Sequence, residues 1–186
     1  MNSFTLFAQR VFDGHNFHDN ARVSIVDGKV QSIDTHVQAK EGETNISGLL
    51  VPGFVDLQVN GGGGALFNSS PSVKGIETIM AAHAQFGTTA MLPTLITDTV
   101  EVMALAADAI AQAIKEKTYG IVGVHFEGPH LSVAKKGAHS EEFIRPISEQ
   151  EWQVLSRKDL GKILVTVAPE NVSPNDITRM VSLGIK

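Results

Sequence analysis

The spacing of apolar residues changes character about a quarter of the way along the chain. Before that point, short apolar and β-branched runs are separated by turn residues. Phe4 to Phe12 reads as a strand, and Ala21 to Val26 runs into Asp27-Gly28 with Lys29 to Ile33 beyond. Asp-Gly between two such runs signals a hairpin, because both turn positions need a positive φ. No helical period occurs before residue 48, and the polar tract Gln38 to Asn45 is expected to be a loop. Residues 1–47 are thus expected to form a small, incomplete β-sandwich-like domain.

From residue 48 onward, strands alternate with helices. Leu49 to Val59 is a mostly apolar run ending at Asn60 and the glycines Gly61 to Gly64, which predicts one strand buried on both faces. A helix is expected from Val73 to Phe86, stopped by Gly87. Thr88 to Ile96 predicts the second strand, and Asp98 with Glu101 predicts a capping box for a helix reaching Lys117. Ile121 to Phe126 gives a third strand, followed by a long loop from Gly128 to Pro146. Ser148 and Glu151 cap another helix, Ile163 to Ala168 is the fourth strand, and Ser173-Pro174 opens a helix through Leu183. Gly184 ends it, and Ile185 is expected to begin a fifth strand. Four β-α repeats argue for a parallel sheet covered by helices, a pattern shared by doubly wound sheets and barrels.

Composition narrows the chemistry. The 186 residues carry a net charge of -5, so no basic field invites nucleic acid. No stretch approaches the roughly 20 apolar residues of a membrane helix, and no signal peptide opens the chain, so a cytoplasmic setting is expected. There is no cysteine, which leaves His, Asp and Glu as the strong metal-ligand types.

Functional groups of parallel α/β folds collect where strands end. Those positions hold Asp56, Gln58 and Asn60, then Pro93 and Thr94, then His125, Glu127 and His130, then Pro169 and Glu170. Glu127 stands out. An acid closing an apolar strand is a hard oxygen donor for a divalent cation, or else a buried Glu satisfied by a structural partner. Gln58 and Asn60, two apart on a strand, point to one face and either support a site or cap the strand end. The glycine run lacks the Gly-Lys-Ser/Thr of a phosphate loop and signals a phosphate cradle only weakly. The basic loop Val133 to His139 offers His139 to a sugar hydroxyl or merely to solvent. His15, His18 and His36 are expected at the surface, and His83 in the core or at an interface. No Ser-His-Asp arrangement is visible.

Leu50-Val51-Pro52-Gly53-Phe54-Val55-Asp56, following a β unit, resembles the first barrel strand of the amidohydrolase superfamily. Asp56-Leu-Gln-Val-Asn-Gly61, Leu92-Pro-Thr-Leu-Ile-Thr97, His125-Phe-Glu-Gly-Pro-His130, Lys135-Lys-Gly-Ala-His139 and Val167-Ala-Pro-Glu170 narrow the resemblance to the family of N-acetylglucosamine-6-phosphate deacetylases. The resemblance implies an α/β fold, with residues 48–186 supplying strands one to four of a TIM-like (β/α) barrel behind the small β domain. It implies amide hydrolysis on an amino-sugar phosphate and a homodimer. Glu127 is implied as a ligand of one divalent metal ion (zinc or similar), and Ala138 and His139 as substrate contacts. Gln58 and Asn60 stand where many amidohydrolases carry His-x-His, which speaks against a two-metal site.

The family's metal-binding histidines, its general acid/base aspartate and its phosphate-binding residues are expected beyond Lys186. No catalytic residue is therefore assigned within this chain, which is expected to be a truncated, inactive fragment that holds metal poorly and self-associates. Dihydroorotase-like or deaminase-like amidohydrolases are the enzymatic alternative, and a non-catalytic binding module of the same fold is the other.

Overall fold

The computed structural model describes residues 2–186. Contacts divide the chain into two compact units, Met1–Gly53 and Phe54–Lys186.

The first unit is a four-stranded sheet built from β1 (Ser3–Phe12), β2 (Phe17–Val26), β3 (Lys29–Asp34) and β4 (Thr44–Leu50), in the order β3-β2-β1-β4. Asp27 and Gly28 both adopt positive φ, 49° and 76°, and close the hairpin expected from the sequence. Ala8, Val11, Ala21 and Val23 form its core, with Leu6, Ile25, Ile33, Ile46 and Leu50 packed around them. Arg22 is 8% exposed and pairs with Glu43 while donating from Nη2 to the Gln38 carbonyl at 2.8 Å.

Two expectations change here. The tract Gln38 to Asn45 is not all loop, because Thr44 and Asn45 pair in parallel with Leu6 and Phe7. The run Leu49 to Val59 is not one strand. Its first residues, Leu49 and Leu50, pair with Arg10 and Val11, and the chain then leaves the sheet through Val51-Pro52-Gly53. Proline has no N–H to give a ladder. The division between units thus falls at Gly53 rather than near residue 47.

In the second unit, β5 (Phe54–Val59) leads into a tight hairpin of β6 (Gly61–Gly62) and β7 (Ala65–Leu66). There follow α1 (Val73–Ala84), β8 (Thr88–Ile96), α2 (Val100–Lys115), β9 (Gly123–Glu127), α3 (Glu149–Leu155), β10 (Lys162–Thr166) and α4 (Pro174–Ser182). The strands β5, β8, β9 and β10 pair in parallel in chain order. A doubly wound sheet reverses direction at a switch point, whereas a barrel winds one way; the order here is that of a partial (β/α) barrel. Ile76, Ile79, Met91, Ile110, Phe126 and Leu155 fill the interface between sheet and helices.

Lys186 exchanges backbone hydrogen bonds with β10, donating to Ile163 and accepting from Val165, while Ile185 N–H still bonds the Met180 carbonyl and no strand is formed at residues 185–186. The cap of α2 departs from expectation. Thr99 accepts from Val102 N–H, because the Asp98 carboxylate is engaged by Asn68 Nδ2 and by Thr99 N–H. The expected box at Ser148 and Glu151 forms, with Glu151 fully buried and also receiving Arg145 Nε at 2.8 Å.

Candidate functional site

The carboxyl ends of the four parallel strands carry a polar ladder. Val59 N–H of β5 donates to Thr94 Oγ1 of β8 at 2.9 Å. Thr94 Oγ1 lies 3.4 Å from His125 Nδ1 of β9, and His125 Nε2 lies 2.8 Å from Thr166 Oγ1 of β10. Burial lowers the pKa of His125, although the Glu127 charge pulls the other way, so its ring sits neutral among hydroxyls.

Two residues beyond His125, and therefore on the same face of β9, is Glu127. Its side chain is 19% exposed and meets two other elements. Gln58 Nε2, from β5, donates to Oε2 at 3.0 Å. His139 Nε2, from the long loop after β9, stands 3.6 Å from Oε1. A third element holds the histidine from behind: Thr97, just past β8, puts Oγ1 2.8 Å and its backbone N 3.4 Å from His139 Nδ1. Two segments, one 69 positions before Glu127 and one 12 after, thus reach one carboxylate, and a third holds the imidazole in place.

Of the residues singled out by sequence, Glu127, Gln58 and His139 come together. Ala138 is exposed on the loop beside His139. Asn60 does not join Gln58 on Glu127; its Nδ2 is buried without a hydrogen-bond partner. His130 is turned away, with Nδ1 against the Arg145 carbonyl at 2.9 Å, and burial pushes its pKa down. Gly61 and Gly62 serve a tight turn. They are consumed in the β6–β7 hairpin, where His83 Nε2 bonds the Gly61 carbonyl at 3.0 Å. Thr97 was not singled out, although its place directly after a strand was the available signal.

Glu127 fits one oxygen ligand of a divalent ion, since Oε1 has only the imidazole near it. Among the described residues, however, no three His, Cys, Asp or Glu side chains converge as a metal site. A catalytic zinc keeps three protein ligands. The donors present are therefore not a complete set, and no chemical step is assigned here to an ion.

The sequence profile of the amidohydrolase family matches residues 49–182. An N-acetylgalactosamine-6-phosphate deacetylase from Shewanella sp. (strain ANA-3) is 47% identical over 180 residues, covering 94% of this chain and 46% of that protein. An N-acetylglucosamine-6-phosphate deacetylase from Haemophilus influenzae is 33% identical over 167 residues, covering 87% of this chain and 43% of that one. The crystal structure of N-acetylglucosamine-6-phosphate deacetylase from Pasteurella multocida superposes with a TM-score of 0.90 at 32% identity, over 99% of this chain and 49% of the other. The chain spans about half the length of the curated relatives it matches.

Proposed function

The chain belongs to the amidohydrolase family, and from that premise we propose that its protein hydrolyses the acetamide of N-acetylglucosamine-6-phosphate, releasing acetate and the free amine. The observation that carries this reading is the convergence of Gln58, Glu127 and His139 at the carboxyl mouth of a parallel sheet. Amide hydrolysis needs an electrophilic carbonyl, a water and a proton carrier. The family is typically metal-dependent, and such an ion supplies the Lewis acid. Glu127 is the carboxylate this chain offers it, as one ligand among others. Gln58 fixes the orientation of that carboxylate through Oε2. Ala138 and His139 line the substrate side, where an imidazole meets sugar oxygens. No residue of this chain is assigned to proton transfer. A homodimer and a cytoplasmic setting belong to the same reading. So does the division of labour between a small β domain and a barrel that carries the chemistry.

A second reading changes only the sugar. The 47% identity to a protein named for the galacto epimer, against 33% for one named for the gluco epimer, favours N-acetylgalactosamine-6-phosphate as substrate. Acetate release from the two sugar phosphates, assayed side by side with added zinc on the protein expressed from its full reading frame, tests both. A higher kcat/KM on the gluco sugar supports the first reading, the reverse supports the second, and turnover of neither removes both.

A further inference from the structure

His139 has two ring nitrogens, and their surroundings differ in kind. Nδ1 faces Thr97, which is only 5% exposed. The backbone N–H of Thr97 points at Nδ1 from 3.4 Å, and Oγ1 lies 2.8 Å away. A backbone N–H can only donate. A proton on Nδ1 would oppose it and leave a buried N–H without an acceptor, at a cost comparable to a lost hydrogen bond. Nε2 faces Glu127 Oε1 at 3.6 Å. A lone pair there would sit against a carboxylate, whereas an N–H is attracted by it.

Both constraints select one tautomer. We infer that Thr97 is a positioning residue: its N–H and hydroxyl converge on His139 Nδ1, hold the proton on Nε2, and make His139 a hydrogen-bond donor beside Glu127 rather than a metal ligand. Metal ligation through Nε2 would need the lone pair that this arrangement denies it. The hydroxyl is fixed in turn. Its single proton goes to Nδ1, the nearer acceptor at 2.8 Å, so Oγ1 only abuts the Glu127 carbonyl oxygen 3.3 Å away, and it packs against Gly128 (φ 83°), where a Cβ would overlap it. Glycine at 128 is what lets the Thr97 hydroxyl occupy that place.

The Nε2–H then points into the space beside Glu127, where it recognises an acceptor oxygen: a hydroxyl, an amide carbonyl or a phosphoryl oxygen of a polar ligand. That this ligand is a substrate rests on the deacetylase reading; the tautomer does not.

The test is a long-range proton–nitrogen correlation spectrum of the nitrogen-15-labelled 186-residue chain, at a pH about two units above the ordinary histidine value of ~6.5. The His139 signals are identified by their loss in His139→Gln. The expected pattern is protonated Nε2 and bare Nδ1, retained in Thr97→Ser. In Thr97→Val, which keeps shape and N–H but loses the hydroxyl, the two nitrogen shifts should draw together. Added zinc chloride should leave the Nε2 proton in place. A wild-type proton on Nδ1, an unchanged Thr97→Val pattern, or loss of the Nε2 proton on zinc addition overturns the inference. The wild-type and serine spectra decide the matter even where the valine variant does not fold. Absence of acetate release from the protein expressed from its full reading frame, with the expected tautomer intact in the 186-residue chain, would remove the deacetylase reading and leave this one standing.

Discussion

Gln58 and Glu127 lie 69 positions apart in the chain, yet the amide Nε2 of one donates to Oε2 of the other at 3.0 Å. The bond spans from β5 to β9, across the width of β8. It leaves the carboxylate with one oxygen bound by protein and one facing His139, so the direction of the free oxygen is set before any ligand arrives. Replacing Gln58 by Leu removes the donor while keeping the bulk. In the protein expressed from its full reading frame, the expected result on the proposed activity is a fall in kcat/KM for acetate release of about 10- to 100-fold, the range found for groups that orient metal-binding side chains. Steady-state kinetics check it, and an unchanged kcat/KM would show that Glu127 needs no such support.

Glu151 is the other carboxylate on which the fold depends. Burial raises its pKa, but hydrogen bonds from Ser148 and Arg145 outweigh that and hold it below the ordinary 4.5. A group whose folded pKa is depressed contributes stability above its unfolded pKa and loses it as pH falls through the folded value. Glu151→Gln should cost about 3 kcal/mol at neutral pH, because it leaves Arg145 facing an unpaired site. The gap between wild type and variant should close as pH drops below 4.5, read by urea denaturation at both pH values.

Gly123 opens β9 against Lys162 of β10, and a Cβ there would overlap the Lys162 backbone. Gly123→Ala should therefore separate the two strands at this point and lower stability by about 1–3 kcal/mol, the usual cost of overpacking. Thermal melting checks it. Gly137, where nothing lies within 4 Å of the added Cβ, is the control for crowding alone, although its φ of 57° carries its own strain.

The exposed apolar side chains of β5 bear on solution behaviour. Phe54, Val55 and Leu57 are each more than half exposed, an apolar cluster that water does not favour. The 186-residue chain is expected to self-associate, with light scattering showing a mass that grows with concentration. Val55→Asp with Leu57→Asp should shift the distribution toward monomer; a strictly monomeric wild type would remove the prediction.

Much of this protein follows from residue order alone. The Asp27-Gly28 hairpin, the alternation of four strands with four helices, and the Ser148 and Ser173 caps are local matters. Periodicity, turn conformation and a hydroxyl within reach of its own helix decide them. The place of Glu127 at a strand end was equally legible, since an acid closing an apolar run announces itself. The tertiary structure decided what those residues meet. It broke the run Leu49 to Val59 in two, because Leu50 found a partner in Val11 and Pro52 could give no hydrogen bond to a continuing ladder. It moved the α2 cap from Asp98 to Thr99, because Asn68, 30 positions back, had engaged the carboxylate. It brought Gln58 and His139 to Glu127 and set Thr97 behind the imidazole, while leaving Asn60 apart. Spacing fixes which way a side chain points from its own strand; only the packing of distant segments fixes which donor and which acceptor end up within 3 Å of each other.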